Sequence, residues 1–429
     1  MSTAPVPSIS ARHRREWELW LLQVTSLPTA AGREQLVHAW IDAWLAPRLD
    51  RVRVARDTAG NILITRRDAP RGRAAATVLV TAHLDHPAFV VTRVGRGDRA
   101  GMVDLEFRGG VLDPYFRRAQ IEILDAEGAG HAATIDSLDA KARPFKRVTA
   151  TLRATGGAAA RRAAAAAISN GDIARWALPA PRIGDMELDP LPGSSAARRV
   201  RCLQTHACDD LAAVVAALAA FDLTLGLKSF AHVGLLFTTA EEVGFIGAIH
   251  AARTGFVPRG ARLINLENSR SFPSDSPMGA GPILRVGDRM SVFTPSLTNA
   301  IGDALTAHAT THHSFQWQRK LMPGGACEST AFAAYGLDST CLCLPLGNYH
   351  NMGRLSQVQA ALTAKATPAA KVAPEVIAIA DFHGLVEMIV VAARALAPAQ
   401  GRRARGGTSG GHKALMEKLY TEKSVVLRS

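Results

Sequence analysis

Hydrophobic and polar positions change rhythm three times along the chain. In residues 16–22 and 33–46 apolar side chains recur at helical spacing, with a loop over 26–32 between them. Residues 51–56 and 62–65 read as strands on either side of the turn Asp57-Thr58-Ala59-Gly60-Asn61. The run 78–82 is uncharged and apolar but for Thr81, which predicts a strand buried on both faces. Beyond His83 the texture shifts to short alternating runs at 89–94, 102–107, 119–124 and 149–152, separated by Gly and Asp. They predict a small β-rich unit inserted into the chain. Residues 153–168 are nearly all Ala, Gly and Arg, and both a helix and a flexible loop stay open there. From Thr205 helices and strands alternate. Helices are expected at 211–220, 247–252, 297–308 and 329–335, strands at 231–239, 262–266 and 339–344, and a last amphipathic helix at 374–395. This alternation predicts an α/β fold, with a mixed, mostly parallel sheet covered by helices. The expected division is a disordered segment over 1–15, a main domain over 16–88 and 196–398, an insert over 89–195, and a basic flexible tail over 399–429, in which 401–411 reads as a linker and the rest as a short basic helix at best.

Composition narrows the classes of function. A chain of 429 residues that is 48% hydrophobic can bury a core large enough for two or more domains. Its formal charge of +13 raises nucleic-acid binding as a rival reading, a binding protein built on a hydrolase fold. The arginines are scattered, however, and the pairs at Arg117-Arg118, Arg161-Arg162, Arg198-Arg199 and Arg402-Arg403 have no interleaved aromatics to stack bases. Nucleic acid is therefore not expected as a partner. Five cysteines, an odd number with no CxxC pair, exclude a disulfide framework and fit a reducing compartment. Arg14-Arg15 runs straight into Glu16 and Glu18, so no secretion signal is expected. No uncharged apolar run reaches about 18 residues, the length a spanning helix needs. A soluble cytoplasmic protein without membrane partners is the expectation.

Chemistry enters at the ends of the apolar runs. Glu241-Glu242 closes one, His83 with Asp85 closes another, and Asp209-Asp210, Glu267 and His350 follow or lie within others. Acids and histidines at buried strand ends are costly unless something pairs with them. Divalent metals are the simplest common partner, since imidazole and carboxylate suit zinc, cobalt or manganese. In an open parallel sheet these positions converge beyond the carboxyl ends of the strands. Two ions need a shared carboxylate and a general base that is not itself a ligand, and the adjacent Glu241 and Glu242 can divide those tasks. Asp85, two residues past His83, is placed to orient that imidazole.

Five segments in order, Ala82-His83-Leu84-Asp85, Ala207-Cys208-Asp209-Asp210, Glu241-Glu242-Val243-Gly244, Glu267 and Tyr349-His350, resemble the glutamyl aminopeptidase-like, tetrahedral-aminopeptidase family of dinuclear metallopeptidases. The gap between His83 and Asp209 matches where that family carries a β-rich dimerisation or PDZ-like insert. The resemblance covers residues 16–398 and implies a zinc-exopeptidase fold, two divalent ions per chain with zinc first, a peptide substrate and a homo-oligomer. It implies that Asp209 bridges the ions, that His83 and Glu267 hold different ions, that Glu242 and His350 also serve different ions, and that Glu241 is the base. The implied reaction is cleavage at a peptide terminus by an aminopeptidase, with a carboxypeptidase or N-acyl amino acid deacylase as alternatives. Departures from the family pattern are His86 after Asp85, Glu at 267 and Leu211 after the acid pair. Asp210, if not the bridge, is expected to cap the following helix. His206 and His312-His313 are read as bystanders, and Glu328 and Asp85 are candidate anchors for a substrate amine.

Overall fold

The computed structural model describes residues 6–69, 77–154, 157–397 and 410–428. An eight-stranded sheet forms the spine. Its order is Val52–Arg56, Ile62–Arg66, Val233–Thr238, Val78–His83, Arg262–Arg270, Asp338–Leu346, Ile283–Asp288 and Gln318–Met322. The four strands from Val233–Thr238 to Asp338–Leu346 run parallel, and antiparallel pairings lie toward the edges. Burial on both faces explains the largely apolar run at 78–82. Val78, Val80 and Ala82 pack under the helices Leu211–Thr224 and Ile379–Ala395, while Leu79 packs on the other side with Ala248 and Phe332. Leu211–Thr224 is apolar nearly all round and is buried accordingly.

The insert is a closed antiparallel barrel of six strands, Ala88–Val94, Met102–Arg108, Gln120–Leu124, Gly130–Asp139, Lys146–Leu152 and Ile173–Trp176. Alternation sends Val103, Leu105, Phe107, Ile121 and Ile123 inward. Phe107, Phe116, Phe89 and Trp176 interlock at the centre, with the Phe89 and Phe107 rings 4.8 Å apart. The Ala/Arg stretch left open by the sequence is helical over Gly157–Ala167.

Four expectations need correction. The chain is already helical at Ala11, inside the segment expected to be disordered, because Ser10 Oγ accepts from His13 N and His13 Nδ1 accepts from Ser10 N. Arg182–Leu188, assigned to the insert, pairs instead with Arg198–Thr205, which in turn pairs with Glu375–Ala378. That last segment was read as the start of a helix. Its β-branched Val376 and Ile377 add a strand, and the helix begins at Ile379. Finally, the tail is not free throughout. Gly410–Lys423 is a helix, and Met416 and Val426 are buried against the main domain. The linker residues 401–409 lie outside the described residues. Among the described residues, no helix is long and apolar enough to cross a membrane.

Candidate metal centre

The four neighbouring parallel strands deliver the site at their carboxyl ends, where such sheets collect ligands. His83 ends one strand, and Glu241-Glu242 follows its neighbour, whose Thr238 stands opposite His83. Glu267 lies on the next strand. Asn265 stands opposite Thr81 there, so two residues further on Glu267 comes level with His83. His350 follows the fourth strand in a loop where Asn348, His350 and Asn351 all have left-handed backbone. Asparagine tolerates that conformation, whereas histidine there is held by its surroundings. Asp209 sits just before the helix Leu211–Thr224.

These side chains converge. His83 Nε2 is 3.5 Å from Asp209 Oδ1, and His350 Nε2 is 3.4 Å from Asp209 Oδ2 and 3.2 Å from Glu242 Oε1. Donor atoms within 4.8 Å of one another form three overlapping groups: His83, Asp209, Asp210 and Glu267; His83, Glu241 and Glu242; and Asp209, Glu242 and His350. His83 and Glu267 thus share a group, as do Glu242 and His350. This grouping differs from the split between ions that the resemblance implies. Asp209 faces both imidazoles, whereas Asp210 turns back to accept from His83 N and from Asn268 Nδ2 at 2.9 Å. Its side chain caps no helix amide, contrary to expectation.

A metal fits this constellation. Asp209 Oδ1 and Glu242 Oε1 are buried without a formed hydrogen bond, although imidazoles and carboxylates stand around them. Buried acceptors left in this way are satisfied by cations. Burial opposes ionisation of Asp209, yet His350 and His83 outweigh it and hold the carboxyl below the usual range. Burial pushes Glu241 well above that range; His83 opposes the shift, and Glu242, Glu328 and Asp85 add to it.

The supports are polar and internal. The Asp85 carboxylate accepts from Glu241 N at 2.9 Å and Glu242 N at 3.0 Å, so its main hold is on the acid pair. His83 is met by the Asp85 carbonyl, which its Nδ1 contacts at 3.0 Å. Glu34 Oε1 accepts from Gly32 N and Ala240 N, and burial followed by Asp85 pushes its carboxyl up to about 8. Glu375, absent from the expected set, accepts from Cys208 N at 2.7 Å, Asp209 N at 3.0 Å and His350 N at 2.8 Å. Its one sequence signal is an acid opening the apolar run at 376–380. The barrel contributes Gly110, whose carbonyl meets His350 Nδ1 at 2.7 Å. His86, the departure after Asp85, contacts the Asp209 carbonyl and Asn351 Oδ1.

The remaining candidates fall outside the donor cluster. Arg270, three residues past Glu267 and a candidate ion-pair partner for it, turns instead to Gln359 and Ser356. His206 lines a small separate cavity with His86 and Trp176, and burial pushes it down to about 4. His312 stacks on His308 away from the site. Glu328 is buried beside the site, and burial pushes its carboxyl up to about 7. The cluster opens into a pocket of about 700 Å³ walled by Leu112, Phe272, Leu321, Met322, Met352 and Leu355.

A sequence profile described as M42 glutamyl aminopeptidase matches residues 60–365. No curated protein sequence matches the chain significantly. Among solved structures, a TET aminopeptidase from a marine-sediment Thaumarchaeota archaeon is similar over 90% of this chain and 97% of its own, with a TM-score of 0.65 at 15% identity. The Pyrococcus horikoshii TET1 peptidase, which assembles into a tetrahedron or a large octahedral shell, matches over 89% and 99% with a TM-score of 0.61 at 19% identity. An aminopeptidase from the archaeon Desulfurococcus kamchatkensis matches over 96% and 98% with a TM-score of 0.62 at 17% identity. At these identities the likeness establishes the fold.

Proposed function

The chain belongs to the M42 glutamyl aminopeptidase family, and on that premise we propose that the side chains gathered around Asp209 are the working site of a peptide-trimming enzyme. Membership makes it a metal-dependent aminopeptidase. The finer reading is that two divalent ions bind per chain, one among His83, Asp209 and Glu267 and one among Asp209, Glu242 and His350. The observation that carries it is the Asp209 carboxylate, which turns one oxygen to each imidazole. Zinc, cobalt and manganese suit this nitrogen and oxygen set, with zinc the first choice. When bound, such ions supply Lewis acidity, acidifying water and polarising the carbonyl of the scissile amide.

The chain's own groups handle the proton. Glu241, the acid of the pair that need not serve as a ligand, takes it from the attacking water on its carboxylate and returns it to the leaving amine. Asp85 fixes the amides of Glu241 and Glu242 and so fixes where that carboxylate stands. Glu375 ties the Asp209 loop to the His350 loop, which keeps the two donor groups in register. The apolar pocket walls exclude water from the side chain of the residue being removed. Five free, buried cysteines agree with a reducing, cytoplasmic setting. The shells formed by the TET1 peptidase favour a homo-oligomer here as well, which light scattering would test.

Glu241→Gln deletes the base and spares the ligand set. It should keep its metal by elemental analysis and lose about 10²- to 10⁴-fold in kcat. Near-parental turnover would overturn the assignment. Peptides with a free amino end should be cleaved and amino-acetylated ones spared; the reverse would move the enzyme to the carboxypeptidase or deacylase side.

A further inference from the structure

Residues 410–428 lie beyond the family match, which ends at 365, yet they are docked on the turn that carries Glu241 and Glu242. That turn has left-handed backbone at Ala240, Gly244 and Phe245, a strained course that its surroundings must hold. Its inner side is held by Asp85 and Glu34, as described above. Its outer side is covered by the terminal segment. Met416 packs with Phe245, Ala248 and Ile249, and Val426 packs with Ala240 and Val243. Leu419 lies over Gly244, where a methyl group would stand 3.4 Å from Leu419 Cδ2.

Polar contacts fix the same helix. Tyr420 Oη meets His250 Nδ1, the Tyr335 hydroxyl donates to Glu417 at 2.8 Å, and Arg253 pairs with Glu417 at 3.4 Å. Tyr335 directly follows the helix Glu328–Ala334, so the segment bears on the element that carries Glu328 as well as on the turn of Glu241 and Glu242. A further contact reaches Glu34. Gly32 lies so close beneath Val426 that a Cβ there would fall 2.0 Å from the Val426 carbonyl oxygen. Gly32 N donates to the same Glu34 oxygen that holds Ala240 N. Lys423 and Val425 also wall a cleft of about 920 Å³ whose other side includes Glu242 and Val243.

We propose that residues 410–428 are a built-in brace for the catalytic turn: docked, they hold Glu241 and Glu242 in working position, and released, they leave a folded enzyme with an impaired proton-transfer step. The inference rests on the aminopeptidase reading for its kinetic consequence and on contacts alone for its structural one. Met416, Leu419 and Val426 act through the turn and are positioning residues.

The test separates the segment after folding. A specific protease site is inserted between Gly406 and Gly407 of the full chain, the purified assembly is cleaved, and the released peptide is removed. Turnover of a free-amino peptide should fall about tenfold or more in kcat, since slight misplacement of a catalytic group is that costly, with KM changed by less than about twofold. Backbone amides of Ala240, Glu241 and Glu242 should exchange faster with solvent, and a synthetic 410–429 peptide should restore both slow exchange and kcat saturably. Where the peptide stays bound after cleavage, the double variant Met416→Asp/Val426→Asp replaces cleavage, and Met416→Leu should behave as the parent. Unchanged kcat and exchange in the separated core would overturn the brace, as would a loss that the peptide does not restore. If the uncut chain cleaves no free-amino peptide, the activity reading fails, and the exchange data still decide whether the segment holds the turn.

Discussion

The sheet and the barrel meet the same site with different chemistry. Every clustered donor side chain, His83, Asp209, Asp210, Glu241, Glu242, Glu267 and His350, comes from the α/β domain. The barrel adds the Gly110 carbonyl on His350 and the Val111 and Leu112 walls. Their interiors differ in parallel. Among the described residues the barrel is held by an aromatic knot with no buried acid, whereas the sheet keeps buried carboxylates at its carboxyl rim, where Asp85 and Glu375 hold backbone amides. One domain thus spends packing on stability and shape, and the other gives up some packing to keep charge where chemistry occurs.

The sharpest way to break this contrast is to empty the barrel core. Phe107→Ala removes the ring packed on Phe89 and Phe116 and should cost about 3–5 kcal/mol of stability, read by denaturant unfolding. The metal content of the folded fraction should not change; a fall there would mean that the barrel core is coupled to the donors. Next in size is Glu375→Gln, which weakens the acceptor shared by the Asp209 and His350 amides. Metal affinity should drop about 10- to 100-fold in a competition titration, as for other supports of ligating groups. Parental affinity would show that the loops hold themselves. The smallest effect should come from Tyr115→Phe, which deletes the hydroxyl donated to the Gly353 carbonyl at 2.7 Å. About 1 kcal/mol of stability should be lost, with kcat nearly unchanged. A large fall in kcat would show that this one bond sets the barrel's pose over the site.

The same contrast explains what could be read from the sequence. The clustered donors were legible because each interrupts or ends an apolar run, where a charged group has no cheap explanation. The pairing of His83 with Glu267 was not legible, because it depends on strand register, which a chain far apart in sequence does not display. Glu375 looked like a helix start because its role is set by three amides from distant loops. Gly110 acts through a carbonyl that every residue type carries. Arg182–Leu188 mixes three charged residues with Ile183, Met186 and Leu188, none of them buried, and its pairing is decided by the neighbouring strand rather than by its own pattern. Met416, Leu419 and Tyr420 already showed helical spacing, but the Gly/Arg tract before them read as a tail, and docking is a tertiary fact.

The carbonyl of Gly110 carries a consequence for how such a protein can vary over time. A methyl group at Gly110 would stand 3.8 Å from His350 Nδ1, an ordinary contact, so the position itself tolerates drift. What cannot drift is the path of the loop, because the proton on His350 Nδ1 is claimed by a backbone atom and the other ring nitrogen is thereby freed for the cluster. Outside its aromatic core and the pocket walls, the inserted domain can therefore exchange side chains as long as this loop keeps its course. Inheritance at that loop acts on shape, with the alphabet of side chains left open.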